Sequence, residues 1–169
     1  MIRWLGQRDE FRCGPIALVN IMKWAGIKEF EGHRVNEKLA KGYLSVRCWT
    51  DKEGTFNYHF EIMLRSLPGL KITKYTHSKR HTKRLSRRDI KKHLKSGGIV
   101  LLDTPWWNSK KRKHEWHYSL LVDVITGGRL YYIINHSSGI TRGILRGRTL
   151  AKMLKHSSTI IHFIEKDQP

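Results

Sequence analysis

From Ile16 to Ala25 the chain is apolar at nearly every position, with Asn20 and Lys23 the polar exceptions. A helix that is apolar on almost all sides belongs in the middle of a domain. Gly14-Pro15 marks its start, because a first-turn proline gives up an N–H that has no helical partner there. Gly26 marks its end. The spacing of Val35, Leu39 and Ala40 predicts a short second helix over Gly32 to Lys41, stopped by Gly42. Residues 42–54 read as a loop or weak strand. Phe56, Phe60, Met63, Leu64 and Leu67 then recur at helical intervals before the Pro68-Gly69 terminator.

Leu70 to Tyr75 alternates as a strand does, and 76–85 is a polar, basic loop. Ser86 can cap a helix running to about Leu94, where Ile90 and Leu94 share a face and Gly97-Gly98 ends the element. The pattern then changes period. Ile99 to Asp103 is a short apolar run suited to a central strand, and 104–116 reads as a long polar loop with tryptophans at both ends. His117 to Ile125 predicts a strand, Gly127-Gly128 a turn, and Leu130 to Asn135 the returning strand. Thr149 to Lys155 and Thr159 to Glu165 suggest a last helix and a last strand. Helices first and an antiparallel sheet after them make the fold class α+β. The 169 residues suit one domain spanning 1–169, without repeats.

Charge changes this picture more than composition does. The net charge is +19, and residues 71–95 carry eleven Lys or Arg against Asp89 alone. Such a window attracts polyanions or acidic surfaces and says nothing about fold. An acidic protein or a nucleic acid is therefore the partner to expect there, with a plain solvated face as the alternative. The 109–114 loop adds further lysines, and Trp106, Trp107 and Trp116 flank it. Those rings suit stacking on bases, or walling a peptide cleft. No run of eighteen apolar residues crosses a membrane, and Arg3 and the charges from Arg8 argue against a signal peptide. A soluble, cytoplasmic, reduced setting follows, in which Cys13 and Cys48 stay unpaired. Neither cysteine has metal-site spacing, and no metal or cofactor is expected.

Cys13 stands where the apolar helix begins. Free N–H groups and the dipole at a helix N-terminus favour a thiolate, and Arg8 and Arg12 lie close in sequence. Cys13 is thus a candidate nucleophile with a depressed pKa, against the alternative of an inert buried thiol. Gln7, six positions earlier, carries a side-chain amide able to hold a developing oxyanion. A thiol nucleophile also needs a base and a group to orient it. His117 begins one predicted strand and Asn135 ends the next, so a tight hairpin brings them to the same end of the pair. His114 and His136 compete less well, one in the basic loop and the other on the opposite side of any continuing strand.

QRDEFRCGPIALVNIM resembles the Gln-x5-Cys-Gly-(Pro/Ala) signature of papain-like cysteine peptidases of the double-glycine leader (bacteriocin-processing) type. KKHLKSGGIVLLDT, HYSLLVDVI and LYYIINHSSG resemble, in order, that family's helix-Gly-strand, His-Tyr strand, and strand ending in Asp or Asn. The likeness spans roughly residues 5–140. It implies a papain-like fold with the nucleophile at the start of a central helix and an antiparallel sheet following. It implies hydrolysis of peptide or isopeptide bonds, with Cys13 as nucleophile, His117 as general base and acid, Asn135 as orienter and Gln7 as oxyanion donor. Two positions depart from the pattern: Arg12 stands where an acid is frequent, and Asn135 where Asp is frequent.

Overall fold

A computed structural model describes residues 2–6, 12–51, 54–76, 85–108, 113–137, 140–156 and 158–167, without the side chains of 106–108, 113–115, 136, 137 and 140. The first element is helix α1, Cys13–Ala25, with ten consecutive buried residues from Cys13 to Met22. Gly26 ends it at φ 88°, a left-handed turn that glycine adopts without steric cost. Asn20, the polar exception in the helix, is fully buried and stays satisfied. Its side chain accepts from Leu5 N–H and donates to Leu5 C=O, both at 2.8 Å, so the N-terminal segment is tied to α1.

The next stretch differs from its sequence reading. Glu29–Phe30 (β1) and His33–Arg34 (β2) form a small hairpin. Helix α2, Glu37–Leu39, starts only after Asn36, whose side chain caps Lys38 and Leu39 N–H. Gly42 does not stop the helical path. It lies within a π-type turn, Ala40–Leu44, that leads into α3, Ser45–Arg47. Residues 50–51 (β3) pair with 54–55 (β4), and α4, Asn57–Arg65, follows.

Six strands build the main sheet in the order β5-β10-β6-β7-β8-β9, with every neighbouring pair antiparallel. They are β5 (Leu70–Thr76), β6 (Ile99–Asn108), β7 (Lys113–Ile125), β8 (Leu130–Ser137), β9 (Ile140–Arg146) and β10 (Ile160–Lys166). Helix α5, Arg87–Lys95, lies between β5 and β6 in the chain, and α6, Gly147–Met153, between β9 and β10. The α5 start has the full reciprocal cap: Ser86 accepts from Asp89 N–H while the Asp89 carboxylate accepts from Ser86 N–H.

Residues 104–116 are mostly strand and not the polar loop that composition suggests. β6 and β7 remain in register out to Asn108 opposite Lys113. Pairing with a neighbour overrides weak local propensity here. His117 therefore lies inside β7 instead of opening it. β9 also has no counterpart in the sequence reading.

The sheet separates two cores. On one face α1, α2 and α4 meet Ile99, Leu101, Tyr118, Leu120, Ile134 and Ile164. On the other, Ile90 and Leu94 of α5 and Leu150 of α6 meet Val100, Leu102, Leu121, Tyr131, Ile133 and Ile161. The alternation of side chains along each strand assigns these two sets.

Candidate active site

Cys13 is the first residue of α1 and is 4% exposed. Its neighbour Gly14 is there for space: a Cβ would lie 2.7 Å from the Thr55 methyl and 2.9 Å from its hydroxyl. The absence of a side chain lets the β3–β4 hairpin close over the helix start. Between that hairpin and β7 runs a cleft of about 320 Å³, lined by Cys13, Thr55, Phe56, Asn57, Trp116 and Tyr118. Phe56 and Trp116 are half exposed, at 53% and 50%, and Trp49 packs edge-on to Phe56 with ring centroids 6.5 Å apart.

His117 and Asn135 come together as the hairpin argument requires. The His117 ring is hydrogen-bonded through Nε2 to the main-chain carbonyl of Asn135. A carbonyl can only accept, so this bond places a proton on Nε2 and leaves Nδ1 as the basic nitrogen. Asn135 is fully buried and sits at φ 57°, a left-handed conformation that asparagine tolerates better than most residues. Its carboxamide donates to the carbonyls of Tyr118 at 3.0 Å and Cys13 at 3.3 Å. One side chain thus joins β8, β7 and the start of α1. Gln7, the 109–112 segment and most of the basic 76–85 loop, with Lys83 and Arg84, lie outside the described residues. So do the side chains of Trp106, Trp107, His114 and His136.

The electrostatics of the thiol run against the sequence expectation. Burial pushes the Cys13 thiol up to about 11. The N–H of Tyr118 on β7 pulls it down, the nearby Asp103 carboxylate adds to the rise, and the N–H groups of Gly14 and Cys13 at the helix start lower it further. The expected depressed pKa is therefore overturned: loss of hydration outweighs the helix terminus. Cys48 is also fully buried, with its thiol raised to about 12, and both cysteines are free.

Asp103, Asn57 and Tyr118 enter the site without having been singled out in the sequence. Asp103 faces Tyr118 across the β6–β7 ladder and is 1% exposed. Burial raises its carboxyl to about 7; a hydrogen bond from Asn57 and the charge of Lys74 oppose the rise, and Glu61 adds to it. Asp103 Oδ1 has no hydrogen-bond partner among the described residues. Asn57 also accepts from the Tyr118 hydroxyl, whose ring stacks on Phe60 at 4.0 Å. A carboxylate at the end of an apolar strand run was the available signal, but only register shows that it points toward the nucleophile's side. Among the described residues no cluster of three metal-ligating side chains occurs, and no helix is long and apolar enough to cross a membrane.

No protein-family model matches the chain, and no curated protein matches it by sequence. Among solved structures, the peptidase domain of Streptococcus ComA, a bifunctional ABC transporter involved in a quorum-sensing pathway, aligns with a TM-score of 0.61. The alignment covers 99% of this chain and 100% of that one, at 13% sequence identity. The fold is that of a papain-like peptidase domain. In this fold, as expected from the sequence, the candidate nucleophile heads the central helix and the candidate base lies on the antiparallel sheet.

Proposed function

We propose that the chain is a papain-like cysteine peptidase that hydrolyses peptide or isopeptide bonds. The observation that carries this reading is the position of Cys13. It begins the buried α1 and opens onto the cleft, while the residue after His117 brings its backbone N–H to the thiol. In the proposed reaction His117 Nδ1 takes the Sγ proton as Sγ bonds to the scissile carbonyl carbon. The carbonyl oxygen becomes an oxyanion held by Gln7 and a main-chain N–H. The imidazolium then protonates the leaving amine, the C–N bond breaks, and an acyl-thioester remains. A water molecule, deprotonated by His117, releases the acid and restores the thiol.

With its pKa raised to about 11, the nucleophile rests as a thiol, so proton transfer accompanies attack instead of preceding it. The main-chain carbonyl of Asn135 orients the ring, and its carboxamide ties that strand to β7 and the start of α1. Phe56, Trp116 and Trp49 offer apolar surface to substrate side chains beside the thiol.

Cleavage of a peptide library by the purified chain tests this, with Cys13→Ala and His117→Ala inactive. Gln7→Ala should slow acylation by about a hundredfold or more. Turnover that survives Cys13→Ala would end the proposal. A second reading has its own support: a thiol that is 4% exposed and raised in pKa is what an inert cysteine looks like. In that case the fold serves as a binding scaffold for an acidic protein or nucleic acid. No covalent capture of Cys13 by a peptidyl thiol probe at any pH would favour the scaffold.

A further inference from the structure

On the face of the sheet opposite Cys13, α5 carries Arg87, Arg88, Lys91, Lys92 and Lys95 among nine residues. The sequence window 71–95 does not form one surface, because α5 divides its charges. Arg87 packs toward Gly147 at the start of α6, and Lys91 Nζ donates to Gly127 C=O at 2.9 Å. Arg88, Lys92 and Lys95 recur at i, i+4 and i+7 and remain exposed, forming a separate stripe.

Through Lys92 that stripe meets a cavity of about 230 Å³ walled by Tyr75, Leu85 and Phe163, with Asp89, His93, Ser96 and Glu165 as its other polar residues. The volume is smaller than a drug-sized pocket. Its aromatic wall is held in place from below. His93, 6% exposed, stacks on Phe163 at 4.4 Å, and its Nε2 donates to the carbonyls of Ile99 at 3.0 Å and Ile164 at 3.2 Å. Tyr75 meets Phe163 with ring centroids 5.0 Å apart. The cavity is therefore a preformed feature of the sheet and α5.

We propose that this cavity and the Arg88-Lys92-Lys95 stripe bind single-stranded nucleic acid, with one base against Tyr75 and Phe163 and flanking phosphates on the stripe. Stacking rings beside a basic track are the two components that such strands require. A basic helix lying on an anionic membrane would present apolar side chains to the lipid. Here the apolar residues of α5, Ile90 and Leu94, are turned into the core. Among the described residues the large exposed apolar side chains all lie outside α5, with Trp49, Phe56 and Trp116 at the thiol cleft or its hairpin.

Fluorescence anisotropy with labelled 12-nucleotide RNA and DNA strands tests the assignment on the intact chain. Three phosphate contacts give a slope of about −2 for log affinity against log salt, a loss of roughly fifteen- to twentyfold from 50 to 200 mM. Arg88→Glu with Lys92→Glu should remove binding at 150 mM salt. Tyr75→Leu keeps apolar packing but deletes the ring, and should cost about tenfold while leaving the salt slope unchanged. A strand of abasic residues should bind the native chain at least as weakly as the normal strand binds Tyr75→Leu, since it loses the Phe163 contact as well. Three results would overturn the assignment: no binding at 50 mM salt, equal affinity for the abasic strand, or capture by phosphatidylglycerol vesicles without capture by either oligonucleotide. Thermal melts confirm that each variant is folded, and a hydrolysis assay reads the thiol cleft separately.

Discussion

Asp103→Asn should make the protein more stable in mild alkali and leave it nearly unchanged below about pH 4. The carboxyl is buried against Asn57 and Tyr118, and its pKa rises from 3.8 to about 7, chiefly through burial. Between those values the folded chain keeps a proton that the unfolded chain has released. Stability is therefore fully present below about pH 4 and is lost as pH rises through 7. At 1.36 kcal/mol for each tenfold change in proton activity, the complete loss is about 4 kcal/mol. Asparagine has nearly the same shape, can accept from Asn57 through its carbonyl, and carries no charge. The variant should match the parent at pH 3, exceed it by about 1 kcal/mol at pH 4.5 and by about 2–4 kcal/mol at pH 8.5, with entry of water setting the lower end. Urea unfolding at four pH values, with an unchanged dependence on denaturant, measures this directly. Parallel stability profiles for the two proteins would refute the reasoning, since the carboxyl would then titrate alike folded and unfolded.

Three other outcomes follow from the site. Iodoacetamide should label both cysteines slowly at neutral pH, because both thiols are raised, with Cys13 ahead of Cys48 since it borders the cleft. Mass spectrometry of labelled peptides checks the order, and faster labelling of Cys48 would contradict the cleft. Asn135→Asp should destabilise by about 1–3 kcal/mol at pH 8, because a carboxylate cannot donate to the Cys13 and Tyr118 carbonyls. Chemical denaturation reads that loss, and equal stability would remove the clamp role. Gly14→Ala should cost about 1–3 kcal/mol through overlap with Thr55, and Thr55→Ala should restore part of it in the double variant.

The helix start at Cys13 was legible because composition alone buries Ile16 to Met22, whatever surrounds them. The His117–Asn135 juxtaposition was legible because a short turn joins two strands, and the one-residue shift between Leu121 and Asp123 is too small to part their far ends. What escaped depended on partners distant in sequence. Residues 104–108 are polar or ring-bearing and extend only because 113–117 lie opposite them. β9 carries Arg142 and Gly143, which blur its alternation until β8 supplies a ladder. Gly42 looked like a helix stop, yet its φ is not left-handed and the turn runs through it. The thiol's raised pKa was equally hidden, since sequence reveals the helix terminus but not how much water the β3–β4 hairpin removes.

The placement of β10 between β5 and β6 has a consequence for the making of the protein. Among the described residues β5 pairs with no strand but β10, and β6 reaches the rest of the sheet on one side only until β10 arrives. During synthesis the ribosome releases β5 some eighty residues before its partner, and the gap in the sheet stays open until residues 160–166 emerge. The thiol helix and the β6–β9 meander can form early, but the two edges flanking the gap remain unpaired. Such edges are templates for other chains. The gap in the sheet thus closes only when β10 arrives, and a nascent chain stalled before it is especially exposed to aggregation.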